Sequence, residues 1–188
     1  MRLANTAVTL AGALGLAICG QFAGTRATAQ TETLDTLFEE LGAADGEGWK
    51  AVEKKIWAEW NRSGSAAMDL LLERGRKEME AGNFNRAIGH FSTLIDHAPD
   101  FAEGWNARAT AFFMADRYGL SLEDLEQVLR LNPRHFGALS GLGMILERLD
   151  RHEEALKAYR EVLKVHPNRP DAKQAVDRLK AQVDGELL

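Results

Sequence analysis

The side chains of this sequence that could bind a metal or transfer a proton are 28 carboxylates and five histidines. The histidines are His90, His97, His135, His152 and His166. No two of them form an H-E-x-x-H zinc motif, and the sequence contains neither a G-x-S-x-G nucleophile motif nor a glycine-rich phosphate loop. We therefore predict no catalytic residue, no metal site and no cofactor, and expect a protein that is not an enzyme.

Composition and charge exclude several further classes of function. The 188 residues are 45% hydrophobic and 27% charged, which is typical of a folded globular protein. A formal charge of −5 argues against a nucleic-acid partner, because binding to phosphates by counterion release needs a basic surface. The single cysteine, Cys19, excludes an internal disulfide and a cluster of cysteine metal ligands.

Residues 1–29 have the features of a cleaved signal peptide. The apolar run Ala7–Cys19 is 13 residues long, which suits a signal core and is too short for a membrane span. Ala27-Thr28-Ala29 then supplies the small-x-small pattern of a cleavage site, so we predict cleavage before Gln30. Because residues 1–29 carry two arginines and no acid, the formal charge of the remaining chain becomes −7. The expected location is the bacterial periplasm.

Two alternatives for this N-terminal segment remain open. Leu16-Ala17-Ile18-Cys19 resembles a lipoprotein cleavage box, although such a box prefers a small residue where Ile18 stands. An uncleaved anchor is disfavoured because Gly20, Gln21 and Gly24 interrupt the run before about 20 apolar residues. Membrane association is therefore expected only through a lipidated Cys19 or through a complex.

Three of the four prolines, Pro99, Pro133 and Pro167, are spaced by 34 and 34 residues. At fixed distances before each proline, small residues recur at small positions and large ones at large positions. The residues 24 positions before the three prolines are Gly75, Ala109 and Gly143, and those 12 positions before them are Ala87, Ser121 and Ala155. The residues eight positions before the prolines are Phe91, Leu125 and Tyr159, and those 28 positions before them are Leu71, Trp105 and Leu139. This spacing indicates three copies of one unit.

Each unit has the apolar periodicity of two amphipathic helices. The first helices are predicted at 68–81, 102–115 and 136–149, and the second at 84–97, 118–131 and 152–165. The small residues would lie where the two helices cross, since only small side chains let helix axes approach to about 8–9 Å. A terminal helix over 170–183 has one apolar stripe and would cap the array.

This framework resembles the tetratricopeptide repeat family over residues 68–167, with Trp105 in the family's tryptophan position. The departures are Ser121, Leu125, Leu71 and Leu139. The resemblance implies an all-α fold, a right-handed α-solenoid of helix-turn-helix units. The units would span 68–101, 102–135 and 136–169, followed by a capping helix and tail over 170–188.

The segment 30–67 is predicted to be a degenerate, repeat-like helical pair, Leu34–Leu41 and Trp49–Asn61. Trp57 lies 34 residues before Phe91, so we expect the pair to stack on the array in register, although Leu41 and Glu53 occupy its small positions. Alternatively, Trp49, Trp57 and Trp60 belong to an amphipathic segment that docks a partner or lies on a membrane surface. Mixed charges disfavour the membrane version.

In a solenoid of this kind the first helices line a concave groove. Helical periodicity places eight residues of these helices on the groove as candidates for binding a partner: Leu72, Arg76, Met79, Asn106, Thr110, Phe113, Met144 and Arg148. The resemblance implies that Asn106 hydrogen-bonds the backbone of an extended peptide. Family members that hold the acidic tails of chaperones use a clamp of lysines and asparagines, but those places here hold Leu72, Arg76, Ala107, Gly137 and Gly141.

The sequence therefore favours a non-catalytic scaffold of the bacterial cell envelope that binds a protein or peptide in its groove. The alternative is a structural subunit of an envelope or membrane-associated complex, docked through segment 34–62 or a lipidated Cys19.

Overall fold

The computed structural model describes residues 33–186, which are helices joined by short turns and contain no strand. Residues 33–43 form α1, and α2 is Trp49–Trp60. The helices that follow are α3 Ala66–Glu80, α4 Phe84–His97, α5 Ala102–Met114, α6 Tyr118–Leu131, α7 Phe136–Arg148, α8 His152–Val165 and α9 Pro170–Glu186. The predicted signal peptide, 1–29, and Cys19 within it lie outside the described residues. Among the helices described, none is long and apolar enough to span a bilayer.

Helices α3 to α8 begin and end within two residues of the predicted bounds. Each pair is joined by a turn whose residue has a positive φ: 74° at Gly82, 57° at Asp116 and 56° at Asp150. Glycine and aspartate tolerate this left-handed conformation better than most residues. The residue after each one donates a backbone hydrogen bond of 2.8–2.9 Å five residues back, as in Arg117 N to Phe112 O. The same local chemistry thus ends the first helix of every pair.

The small framework residues make room for aromatic rings at the helix crossings. A Cβ added to Gly75 would lie 2.2 Å from the ring of Phe91, and one added to Gly143 would lie 2.8 Å from the ring of Tyr159. In the middle pair, Ser121 Oγ donates a 2.7 Å hydrogen bond to the carbonyl of Ala109. The hydroxyl that replaces the family's alanine is therefore satisfied within the crossing.

An unpredicted ion pair joins neighbouring helices of the array. The guanidinium of Arg108 on α5 forms two parallel hydrogen bonds of 2.8 Å with the buried carboxylate of Asp124 on α6. It also donates to Ser92 on α4 over 3.1 Å. Because a two-pronged guanidinium–carboxylate pair fixes orientation as well as distance, this contact sets how α4, α5 and α6 meet.

The N-terminal pair is helical, but the expectation that α1 and α2 stack on the array in register is wrong. Its buried residues join an apolar cluster with α7, α8 and α9 rather than the cluster formed by α3 to α5. The residues that α1 and α2 contribute are Leu37, Leu41, Val52, Ile56 and Trp60. Stacking in register needs small side chains where helices cross, and Leu41 and Glu53 are too large for those positions. We call α1 and α2 together the N-terminal hairpin.

The crossing at Gly75 gives a stability prediction with a matched control. Gly75→Ala should lose about 1–3 kcal/mol of unfolding free energy, because the new methyl group meets the buried Phe91 ring. Gly89→Ala, on the exposed side of α4 with nothing within 4 Å of its Cβ, should gain up to about 1 kcal/mol from helix propensity. Urea unfolding followed by circular dichroism measures both, and equal stability of the two variants would contradict the packing described.

Candidate functional site

The first helices of the three pairs, α3, α5 and α7, line a groove that contains two adjoining cavities. The first cavity, of about 250 Å³, is lined by side chains of α3 and α5 and by Phe91. The second, of about 170 Å³, lies between α5 and α7. Asn106 and Thr110 on α5 border both cavities. A ligand lying across α5 would therefore contact both cavities.

The second cavity is mostly apolar. Its lining includes Phe113, Leu125, Met144 and Ile145. Gly141 also borders it, and a Cβ there would already lie 3.6 Å from the methyl groups of Leu125. Since Gly141 has no side chain, the floor stays open to one apolar group of a ligand, as is typical of small binding pockets.

Most of the predicted groove residues come together here. Arg76, Met79, Asn106 and Thr110 line the first cavity, and Phe113 and Met144 line the second with Asn106 and Thr110. Two predicted groove residues do not join them.

Leu72 is only 3% exposed and packs in the core with Ala87 and Phe91, so its assignment to the groove surface is corrected. Helical periodicity places it on that side of α3, but α4 and α5 cover it. Arg148 is exposed near the end of α7 and lines neither cavity.

A buried carboxylate holds the centre of the groove together. Glu103, in the first turn of α5, is 3% exposed. It accepts hydrogen bonds from Arg76 Nη2 over 2.7 Å and from Asn106 Nδ2 over 3.1 Å. His135 Nε2 lies 3.3 Å from its second oxygen. Glu103 thus connects α3, α5 and the start of α7, and it neutralises the charge of Arg76.

The end of α2 closes one end of this groove, which we call the lower end. The indole of Trp60 stacks on the His135 ring with centroids 4.2 Å apart and planes 14° apart. A Cβ added to Gly137 would lie 2.7 Å from the ring of Trp57. Asn61, directly after α2, accepts a 2.6 Å hydrogen bond from Arg76 Nη2. The hairpin therefore spans the groove from α3 to α7.

Glu53 on α2 is the polar anchor of the hairpin. Its carboxylate lies 3.3 Å from His166 Nε2 and accepts hydrogen bonds of 3.2 Å from Arg169 and from the indole of Trp57. The hydrogen bond with His166 is the main cause that lowers the pKa of Glu53, so the carboxylate is ionised at neutral pH. The hairpin is thus held by charge as well as by apolar contact.

The chaperone-tail clamp cannot assemble in this geometry. Ala107 is buried like Leu72, Gly137 is covered by Trp57, and Arg76 is already paired with Glu103. Among residues 33–186, no group of three or more histidine, cysteine or acidic side chains is placed to hold a metal ion. What the groove offers is an ordered surface with one apolar cavity.

Fold and groove together define a helical-repeat protein. The family model of the tetratricopeptide repeat matches residues 72–123 and 115–173. This chain belongs to the tetratricopeptide repeat family.

Similar proteins extend the match beyond the repeats. A TPR repeat-containing protein of Rhizobium etli is 36% identical over 155 residues, covering 82% of this chain and 76% of that protein. DnaJ homolog subfamily C member 3 of Homo sapiens is 29% identical over 115 residues. That match covers 61% of this chain but only 23% of the human protein, so it compares only part of that protein.

Solved structures show the same arrangement of helices. The first TPR of Spaghetti (RPAP3) bound to the HSP90 peptide SRMEEVD superposes with a TM-score of 0.60 at 26% identity, over 62% of this chain and 93% of that one. The MamA protein superposes with a TM-score of 0.56 at 23% identity, over 80% of each chain. The second likeness concerns the fold alone.

The buried position of Glu103 predicts a large effect for a small change. Glu103→Gln should cost roughly 2 kcal/mol of unfolding free energy, because it weakens charged hydrogen bonds in a site shielded from water. The cost stays at this level because Arg76, being partly exposed, can turn to solvent. Glu80→Gln, an exposed acid at the same cavity, should change stability by less than about 0.5 kcal/mol. Chemical denaturation compares them, and equal effects would contradict the central role of Glu103.

Proposed function

We propose that this protein is a non-catalytic scaffold that binds a protein or peptide in the groove formed by α3, α5 and α7. The observation that carries the proposal is the open apolar cavity between α5 and α7, beside the first cavity and sharing Asn106 with it. The groove is already ordered by Glu103, so little conformational entropy is lost by the scaffold when a partner binds.

The bound segment would place one apolar side chain between Phe113 and Met144. Methionine side chains adapt to differently shaped partners, which suits a site of this kind. Asn106 gives its amide N–H to Glu103, so its Oδ1 is the atom that would accept a peptide N–H. Peptide binding by the similar RPAP3 domain supports this class of ligand.

We expect the partner's segment to be bound differently from the HSP90 peptide in the RPAP3 complex. None of the clamp positions supplies an unpaired cation, because Arg76 is paired with Glu103 and the others are Leu72, Ala107, Gly137 and Gly141. A free C-terminal carboxylate therefore finds no unpaired clamp cation to receive it. We infer that this groove takes an internal segment of its partner, recognised chiefly by an apolar side chain.

For location, we propose export to the bacterial periplasm through the predicted signal peptide over 1–29. The pattern of the sequence supports this proposal: a 13-residue apolar run followed by a small-x-small site. The docking alternative through segment 34–62 is less favoured, since Trp60 is buried and Trp49 and Trp57 pack against this chain's own third helix pair and α9. Lipid attachment at Cys19 stays a prediction.

The groove assignment is tested by the double variant Asn106→Ala with Phe113→Ala. We expect it to capture the wild-type protein's partners from an envelope fraction at least tenfold less well, equivalent to about 1.4 kcal/mol. Quantitative mass spectrometry of co-purified proteins measures the loss.

The matched control is Leu120→Ala with Glu123→Ala, two exposed positions of α6 that line neither groove cavity. The control should retain capture, and circular dichroism should show the same helicity for all three proteins. Undiminished capture by a folded groove variant would overturn the assignment.

A further inference from the structure

The N-terminal hairpin covers a surface of the helix array that has its own set of aromatic and charged contacts. This surface is made by the start of α7 and the α8–α9 connection, and we call the five residues His135, Phe136, Gly137, His166 and Arg169 the α2-docking face. It lies next to the groove cavities and shares only Gly137 with their linings.

This face recognises aromatic side chains by ring contacts. The Trp57 ring meets the rings of His135 and Phe136 edge-on, each with centroids 5.5 Å apart. Trp60 stacks on His135 and lies 4.8 Å from Phe136. Such offset and edge-on arrangements are the favourable geometries for aromatic pairs.

Charges across the interface are complementary. The hairpin supplies carboxylates, and the helix pairs supply cations or histidine: Glu53 pairs with His166 and Arg169, and Asp35 pairs with Arg134. The face therefore favours a carboxylate opposite His166 and Arg169.

The contacts of α2 define a sequence pattern. A carboxylate at position 53 and tryptophans at 57 and 60 lie on one side of a helix, because residues three and four apart share a face. The other side of α2 is exposed at Ala51, Lys55 and Ala58. The occupant that fits is thus an amphipathic helix with an acid followed four residues later by one aromatic residue and seven later by another.

Two observations indicate that the hairpin is a separable occupant rather than a fixed part of the array. It is tied to α3 by residues 61–65 alone, where Gly64 has a φ of 85°. Trp60 Nε1 and His166 Nδ1 are buried at or beside this interface without a hydrogen-bond partner within residues 33–186. Unsatisfied buried polar atoms weaken an interface that is otherwise well packed.

We propose that the α2-docking face is a second binding site of this protein, specific for an amphipathic helix with this pattern of one carboxylate and two aromatic residues. The N-terminal hairpin is its resident intramolecular ligand, and a partner helix of the same pattern binds by displacing it. The α2-docking face is a different site from the two groove cavities. This proposal and the proposal of groove binding can therefore fail independently of each other.

The test uses a fluorescein-labelled synthetic peptide with the sequence of residues 45–62 and the full chain. In the variant Glu53→Ala with Trp57→Ala, the resident hairpin loses its carboxylate anchor and the ring contacts of Trp57 with His135 and Phe136, while the face is unchanged. The peptide should bind this variant at least tenfold more tightly than wild type in fluorescence anisotropy. A peptide in which Trp57 and Trp60 are both replaced by alanine should not bind.

Matched glycine variants locate the site. Adding Gly137→Val to that variant should abolish the gain, since even a Cβ at this position lies 2.7 Å from the bound ring. Adding Gly119→Val should leave it, because Gly119 is likewise the second residue of its helix and has nothing within 4 Å of its Cβ. No gain, or a gain that survives Gly137→Val, overturns the proposal.

Hydrogen exchange on the wild-type chain tests independently whether the hairpin detaches, even if the weakened variant does not fold. Backbone amides of α2 should exchange at least tenfold faster than those of α5 to α8, and excess unlabelled peptide should accelerate them further. Exchange of α2 only together with α5 to α8 would show that the hairpin never detaches and would overturn the proposal.

Discussion

The buried carboxylate of Glu103 is the constraint on which the rest of the groove depends. A charge withdrawn from water must be paired and hydrogen-bonded, or the fold loses several kcal/mol. Glu103 meets this requirement only if Arg76 of α3 and His135 before α7 both reach it. These two partners in turn contact Asn61 and Trp60, so one ion network links three helix pairs and, at its edge, contacts the N-terminal hairpin.

The hairpin changes what kind of repeat protein this is. In an open solenoid each unit contacts only its neighbours, and the groove can widen or narrow by small rotations between units. Here contacts such as Asp35 with Arg134 and Glu53 with Arg169 join residues 99 and 116 positions apart. The array is thereby closed at its lower end, and the parts of the groove left open are the two cavities that share Asn106 and Thr110.

The sequence predicts the repeat helices well because their determinants are local and repeated. The 34-residue spacing, the turn residues and the small residues at crossings each act within a few turns of helix. The packing of the hairpin could not be predicted in the same way, since an apolar stripe shows that a face is buried and not which surface covers it. The one indication was that Leu41 and Glu53 stand where stacking needs small residues. Leu72 was assigned to the groove surface, and the buried Glu103 was not singled out, because helical periodicity shows which side of a helix a residue lies on but not what covers that side.

The closed groove depends most directly on the contact between Trp57 and Gly137, which joins the hairpin to the third helix pair. A nuclear Overhauser spectrum of the isotopically labelled chain measures it. We predict a cross-peak between the Trp57 indole ring and the α-protons of Gly137, with further cross-peaks to the rings of His135 and Phe136. Cross-peaks from Trp57 to side chains of α3 and α4 in their place would show a stacked fourth pair and would contradict the closed groove.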